Sequence, residues 1–401
     1  MAIPRYRQYE GPAVFSAGFR PFFLLGAAWA AIAVPLWLLA FAGQSDLPTQ
    51  LAPAAWHVHE MVFGYGAAIV AGFLLTAIPN WTGRLPLQGR PLAALVLLWM
   101  AGRAAVLSAT DIGALAAALV DLAFPLIFLA VVAREIIAGR NWRNLPMLGA
   151  LALLLLGNLL VHIEALGLAK TAAAGNRLGV ATLLMLISFV GGRVVPSFTR
   201  NWLARLRPET AAPATFGMVD RIALSLTGLA LALWVILPDG TAASSAELAA
   251  ALALAARLLR WRGQATAREP LLWVLHVGYG WLALGFLLLA VNGFTSLLPP
   301  TTALHALTVG AIGTVTLAMM TRVSLGHTGR PLTAGSGTVA IYGLVTLAAF
   351  IRLLAPLGGT EYLALLSLAG AAWCGAFGLF LVFYFRPLVR PRIKSESARP
   401  A

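Results

Sequence analysis

Residues 56–84 read WHVHEMVFGYGAAIVAGFLLTAIPNWTGR, and this segment decides the class of fold. No charged side chain occurs between residues 61 and 79. A run of about 20 apolar residues has the length of an α-helix that crosses the hydrocarbon core of a bilayer. The segment therefore predicts a membrane-spanning helix, and two histidines, His57 and His59, stand at its start.

The rest of the chain repeats this pattern. Of its 401 residues, 60% are hydrophobic and 10% are charged, whereas a soluble domain is about 25% charged. This composition excludes an ordinary soluble protein and predicts an all-α integral membrane protein, with residues 1–401 forming a single polytopic membrane domain. About twelve transmembrane helices are predicted, near residues 20–41, 56–79, 91–109, 111–133, 146–167, 177–199, 217–237, 243–260, 270–293, 302–322, 335–356 and 361–385.

The distribution of charge predicts the orientation of the chain. The formal net charge is +14, but the basic residues fall in short clusters between the apolar runs, so no nucleic-acid partner is indicated. Basic residues such as Arg84, Arg140 and Arg205 concentrate in the tails and in the loops after the even-numbered spans. The positive-inside rule then predicts that both termini are cytoplasmic.

Spans two, six and ten resemble one another. Their alignment places His59, Asn176 and His305 at equivalent positions, each four spans from the next. The pattern predicts three parallel four-helix repeats, unlike the inverted repeats of many secondary transporters. The candidate repeats are residues 15–140, 141–265 and 266–390.

Four histidines fall in one predicted layer, in the outer third of the membrane: His57, His59, His162 and His305. A strongly polar side chain in hydrocarbon usually has a partner. Metal ions and haem bind imidazoles that converge from several helices, so these four residues are candidate metal ligands. The alternative is that each imidazole forms a hydrogen bond to a neighbouring helix.

The spacing of His57 and His59 separates their roles. Residues two apart on a helix point about 200° apart, so the two rings face different neighbours and can serve two different centres. The face of span two that carries His57 continues through Gly64 and Gly72. These small residues either leave room for a flat ligand or allow close packing of helices.

Three acidic residues of the predicted spans are candidates for a functional role. Glu60 follows His59, and Glu164 stands two residues after His162. Each is a candidate catalytic proton carrier, a metal ligand or a partner that orients a ligand imidazole, although Glu164 is close enough to a helix end to face water. Asp121 lies near the middle of span four. It is predicted to pair with Arg103 or Arg352, or to belong to a proton path.

Arg193 and Arg322 occupy equivalent positions at the inner ends of spans six and ten. Two roles remain open for them. Each either anchors the topology at the membrane surface or binds a carboxylate, such as a haem propionate, through paired hydrogen bonds.

Several motifs together resemble the NnrS family. They are GFRPFF at 18–23, WHVHEM at 56–61, GGRVVPSFT at 191–199, LHALTVG at 304–310 and GHTGRPL at 326–332, and the likeness runs from residue 15 to the end of the twelfth span. The resemblance implies a twelve-span protein of the bacterial inner (cytoplasmic) membrane, associated with haem, copper and nitric oxide metabolism or resistance. It also implies that His276 and His327 join His57, His59 and His305 as candidate cofactor ligands.

The expected function follows from this resemblance. The protein is expected to contain haem b and also copper, to bind nitric oxide, and to reduce it to nitrous oxide with electrons from a quinol or a cytochrome. The threefold arrangement is similar to that of haem–copper oxidases, although similarity of fold does not define function. The alternatives are a transporter of a metal, haem or an organic solute, and a non-catalytic haem or metal protein that protects against nitrosative stress.

Overall fold

The computed structural model of the chain describes residues 9–206 and 212–393, and the regular secondary structure of these residues is entirely helical. Twelve helices are long and apolar enough to cross a membrane, which confirms the predicted all-α membrane fold. They are α1 (Phe19–Phe41), α2 (Pro53–Thr82), α3 (Arg90–Leu107), α4 (Ala114–Ala138), α5 (Trp142–Ala165), α6 (Ala172–Arg205), α7 (Met218–Ile236), α8 (Thr241–Leu259), α9 (Pro270–Thr295), α10 (Pro300–His327), α11 (Ser336–Leu357) and α12 (Gly359–Val389).

Several helices extend beyond the predicted spans. The helix α6 runs from Ala172 to Arg205, although its apolar run predicted 177–199. An apolar run marks only the part of a helix that lies in hydrocarbon, whereas the helix ends where the backbone changes direction. In α2 this point is Gly83, whose φ of 70° is left-handed and suits glycine.

Three of the spans contain a π-helical segment, a helical variant that is frequent at functional sites. The segments are Glu60–Gly66 in α2, Ile187–Gly191 in α6 and Ala306–Gly313 in α10. Those in α2 and α10 begin directly after His59 and His305, two residues that the repeat alignment placed at equivalent positions. The division into three repeats stays a prediction.

The chain forms two compact units. Unit 1 comprises 1–179, 322–331 and 380–401, and unit 2 comprises 180–321 and 332–379. Unit 1 therefore contains α1 to α5 in full, and unit 2 contains α7, α8, α9 and α11 in full.

Hydrogen bonds join the start of α1 to the end of α12 in unit 1. Arg20, in the first turn of α1, is buried, and its guanidinium donates to the backbone carbonyls of Pro387, Leu388 and Arg390 at 3.2, 2.9 and 2.7 Å. The last carbonyls of a helix lack partners within it, so Arg20 stabilises the end of α12 as well as the start of α1.

The small residues of α2 allow close packing. A Cβ atom at Gly72 would lie 2.7 Å from the ring of Phe23 on α1, and one at Gly64 would lie 3.1 Å from the Trp29 indole nitrogen. The glycine positions are therefore covered by side chains of neighbouring helices. Close helix packing is the interpretation that these contacts favour.

Candidate metal centre

Six polar side chains from α2, α3, α4 and α5 meet inside unit 1, and none is more than 4% exposed. Burying so many polar groups in a membrane protein is costly unless each finds a partner. We refer to them as the buried polar cluster; its members are His59, Glu60, Arg103, Asp121, Asn158 and His162.

The local sequence brings these side chains together. Asn158 and His162 are four residues apart on α5, so they share one face of the helix. Next to Arg103 on α3 stands Gly102, where a Cβ atom would lie 2.8 Å from an Asp121 carboxylate oxygen. The absence of a side chain at Gly102 therefore allows α3 and α4 to approach closely beside the cluster.

Arg103 is the cation at the centre of the cluster. Its Nη1 donates to both carboxylate oxygens of Glu60, at 2.8 and 2.7 Å, and its Nη2 pairs with Asp121 Oδ1. Of the two partners predicted for Asp121, Arg103 or Arg352, the structure shows Arg103. Glu60 also accepts a hydrogen bond of 2.7 Å from Trp29 Nε1.

The ring of His59 lies between acceptors. Its Nδ1 is 2.9 Å from Glu60 Oε1, and its Nε2 is 2.9 Å from Asn158 Oδ1. The Asn158 amide nitrogen donates to Asp121 Oδ2 at 2.7 Å, which fixes the amide so that its oxygen faces His59. A cation is therefore required on the Asn158 side of the ring, either a second ring proton or a metal ion.

Charges balance when that cation is a proton. Glu60 and Asp121 contribute two negative charges, and Arg103 and a doubly protonated His59 contribute two positive charges. A cluster with no net charge is far less costly to bury than one with an unpaired ion.

Three members of the cluster have the geometry of metal ligands. The donor atoms of His59, Asp121 and His162 all lie within 4.8 Å of one another. Asp121 Oδ2 is 3.3 Å from His59 Nε2 and 2.9 Å from His162 Nε2. Atoms that each lie about 2.1 Å from one ion are roughly 3.0–3.4 Å apart at bond angles of about 90° to 109°, so the distances of Asp121 Oδ2 to the two imidazole nitrogens are compatible with a shared transition-metal ion. Two imidazoles and one carboxylate also suit first-row divalent metals chemically.

The other ring nitrogen of His59, Nδ1, also has a partner. Metal-bound histidines usually donate their other N–H to a carboxylate or carbonyl, which orients the ring. Glu60 is placed to accept from Nδ1, leaving Nε2 directed towards Asp121. The cluster could therefore hold a metal ion with a carboxylate supporting one of its histidine ligands.

Comparison with known families agrees with the sequence motifs. A family model described as NnrS protein matches residues 13–392, nearly the whole chain. The chain belongs to the NnrS family. The resemblance seen in the motifs is thereby confirmed, and family membership relates this membrane protein to nitric oxide. No curated protein matches the chain.

In this NnrS protein, two histidines of the predicted outer layer converge. The rings of His59 and His162 have their centroids 5.4 Å apart. His57 is half-buried and stacks on Trp37, with centroids 4.0 Å apart, so it lies outside the cluster. The prediction that His57 and His59 face different neighbours is confirmed.

Glu164 also lies outside the cluster. It is exposed, and its carboxylate accepts a hydrogen bond of 2.8 Å from the backbone N–H of Ala172, the first residue of α6. A carboxylate at this position stabilises a helix start, where amide groups lack partners.

The candidate ligands of unit 2 have other neighbours. His276 is buried, with Nδ1 3.1 Å from the carbonyl of Leu272 and Nε2 3.4 Å from the hydroxyl of Thr199. His305 is half-buried and its Nδ1 donates to the carbonyl of Thr301 at 2.6 Å.

The remaining candidates lie on α6 and α10. Arg193 is exposed, with its guanidinium 4.0 Å from the centre of the Phe189 ring. Arg322 is half-buried. The ring of His327 lies 5.7 Å from that of Phe19, within unit 1.

Asp121 and Asn158 are among the cluster members that the sequence does not mark as metal ligands or as supports of a ligand. Asp121 was expected to pair with an arginine or to carry protons, and Asn158 was not singled out. The signal for Asn158 is its position four residues before His162, which puts a second polar side chain on the inward face of α5.

Proposed function

We propose that this NnrS protein binds a transition metal ion at His59, Asp121 and His162, and that the site acts in nitric oxide metabolism or resistance. The observation that carries the proposal is the convergence of three donor groups in a buried cluster within the membrane-spanning helices. Copper is the first candidate because the family is associated with it, and the donor set also suits iron.

The setting suits nitric oxide as a ligand. Nitric oxide is small and apolar, so it can enter the bundle from the bilayer without a polar channel. A bound metal ion would supply an open coordination position and the capacity to exchange electrons.

The chain itself would orient the site and handle protons. Reduction of two molecules of nitric oxide takes up two electrons and two protons and gives nitrous oxide and water. Glu60, whose carboxylate lies 2.9 Å from His59 Nδ1, is the candidate that would accept a proton from this ring and return it. A quinol in the membrane or a cytochrome would donate the electrons.

A porphyrin does not fit beside the His57 face of α2. The His57 ring is stacked on Trp37, and the adjacent glycine positions Gly64 and Gly72 are covered by Trp29 and Phe23. Haem b at His276, His305 or His327 stays a prediction.

Metal content tests the proposal. We expect purified protein to contain one copper ion or one non-haem iron ion per chain, and His162→Ala to weaken metal binding by about 100-fold or more, since replacing even a supporting residue costs 10–100-fold. His57→Ala is the matched control, because it removes an imidazole outside the cluster and should leave the metal content unchanged. The measurement is elemental analysis of both variants after dialysis against a weak chelator.

Nitric oxide then separates the possible functions. Nitrous oxide formed by the metal-loaded protein with a reduced quinol would support catalysis. Binding of nitric oxide without turnover would assign a non-catalytic protective role. Equal metal content in wild type and His162→Ala would contradict the metal site and would favour the alternative that the protein is a transporter.

A further inference from the structure

Four acidic side chains are buried in the part of the chain that the structure describes: Glu60, Asp121, Asp220 and Glu247. Three of them bind cations, since Arg103 pairs with the first two and Arg257 with Asp220. Glu247 is 3% exposed and has no hydrogen bond or ion pair with any described residue. It is thus unlike the other buried acids of the molecule.

Glu247 has mostly apolar neighbours on its own helix. It lies on the inward face of α8, among Ala243, Ala246, Ala250 and Ala251, all of them buried. The nearby hydroxyl of Ser244 donates to the carbonyl of Gly240 at 3.1 Å and is therefore engaged elsewhere. An ionised carboxylate in such a setting is costly, whereas a protonated one is neutral.

The charged groups on the helices packed against α8 lie far from Glu247. These helices are α7 and α9, whose titratable or charged residues are Asp220, Arg221, His276 and Tyr279. Asp220 and Tyr279 both bind Arg257, ten residues further along α8, which is roughly 15 Å.

The two other groups are also remote. Arg221 follows Asp220 and is exposed. His276 precedes Tyr279 by about one turn, in the direction of the helix start at Pro270. In the loop before α8, Asp239 is exposed.

We propose that Glu247 is a proton-binding site inside unit 2, which exchanges one proton with the membrane face at which α8 begins. The residue stands six positions after Thr241, or roughly 9 Å along the helix, so only a short step separates it from that face. The carboxylate oxygen gains or loses a proton and no other bond changes. A metal cation would need several oxygen ligands, and the buried residues next to Glu247 on α8 are mainly alanines. This proposal does not depend on the metal site of unit 1.

Labelling with an apolar carbodiimide tests the proposal, because this reagent reacts with protonated carboxyl groups in apolar surroundings. We expect dicyclohexylcarbodiimide to label Glu247 of the full-length protein in micelles at neutral pH, as read by peptide mass spectrometry. The labelling should fall about tenfold per pH unit once the pH exceeds the point of half-protonation. Glu60, which is paired with Arg103, should stay unlabelled, and a water-soluble carbodiimide should label the exposed Glu361 instead.

Infrared spectroscopy gives a second readout. The carbonyl band of a protonated acid should be present in wild type and absent from Glu247→Gln, whose side chain closely matches the neutral acid in shape. Absence of labelling at Glu247 in folded protein would overturn the proposal, as would an unchanged infrared band in the variant. Protection by sodium ions at constant pH would show a cation site and would also overturn it. The labelling of wild type decides the question even if the variant does not fold.

Discussion

Replacing Arg103 with methionine is expected to lower the free energy of unfolding of metal-free protein by about 3–5 kcal/mol. Arg103 is the cation that binds both Glu60 and Asp121, and all three side chains are buried. Its removal leaves two carboxylates close together with only His59 to balance them. Thermal or denaturant unfolding in detergent micelles, compared with wild type, measures the loss.

Two further variants show whether charge is the cause. Arg193→Met removes an exposed arginine and should change stability by less than about 1 kcal/mol. Adding Glu60→Gln to Arg103→Met returns the cluster to zero net charge, so the double variant should lose less than the sum of the two single losses. Additive losses would contradict the charge-balance interpretation. If Arg103→Met gives no folded protein, recovery of folding in the double variant still tests it.

The architecture could be predicted from the sequence because the signals for it are local. A span needs only a run of apolar residues, and the runs gave twelve helices that the structure confirms. The pairing of Asp121 with Arg103 followed from the cost of an unpaired charge in hydrocarbon. Neither inference required knowledge of how the helices are rotated.

The membership of the cluster was harder to predict, because it depends on which helix faces converge. Glu164 is an example, because it is two residues from His162 on the same helix. When His162 faces inward, Glu164 faces away, as His57 does from His59. The sequence alone was therefore enough to predict that Glu164 and His162 face different sides of α5. The π-helical segment that begins at Glu60 could not be predicted from the sequence, because one extra residue in a helical turn does not change the pattern of an apolar run.

Replacing Gly157 with leucine is expected to destabilise unit 1 by about 3 kcal/mol and to weaken metal binding by about tenfold or more. A Cβ atom at Gly157 would lie 2.8 Å from the carbonyl oxygen of Gly175 and 3.2 Å from the backbone nitrogen of Gly179, both on α6. Backbone atoms cannot turn aside as a flexible side chain can, so α5 and α6 must separate. Because α5 carries Asn158 and His162, the same displacement disturbs the buried polar cluster. Unfolding in micelles and elemental analysis measure the two effects.

A second glycine on the same helix provides the control. A Cβ atom at Gly149 would meet nothing within 4 Å, so Gly149→Leu should be neutral or should stabilise the helix by up to about 1 kcal/mol, and should leave the metal content unchanged. If Gly157→Leu lost stability but kept its metal, the cluster would tolerate movement of α5, and His162 would not be a required ligand. If both variants behaved like wild type, the close contact of α5 with α6 would not be what holds Asn158 and His162 in place. Loss of both properties at Gly157 alone would show that the contact between these two helices sets the positions of the proposed metal ligands.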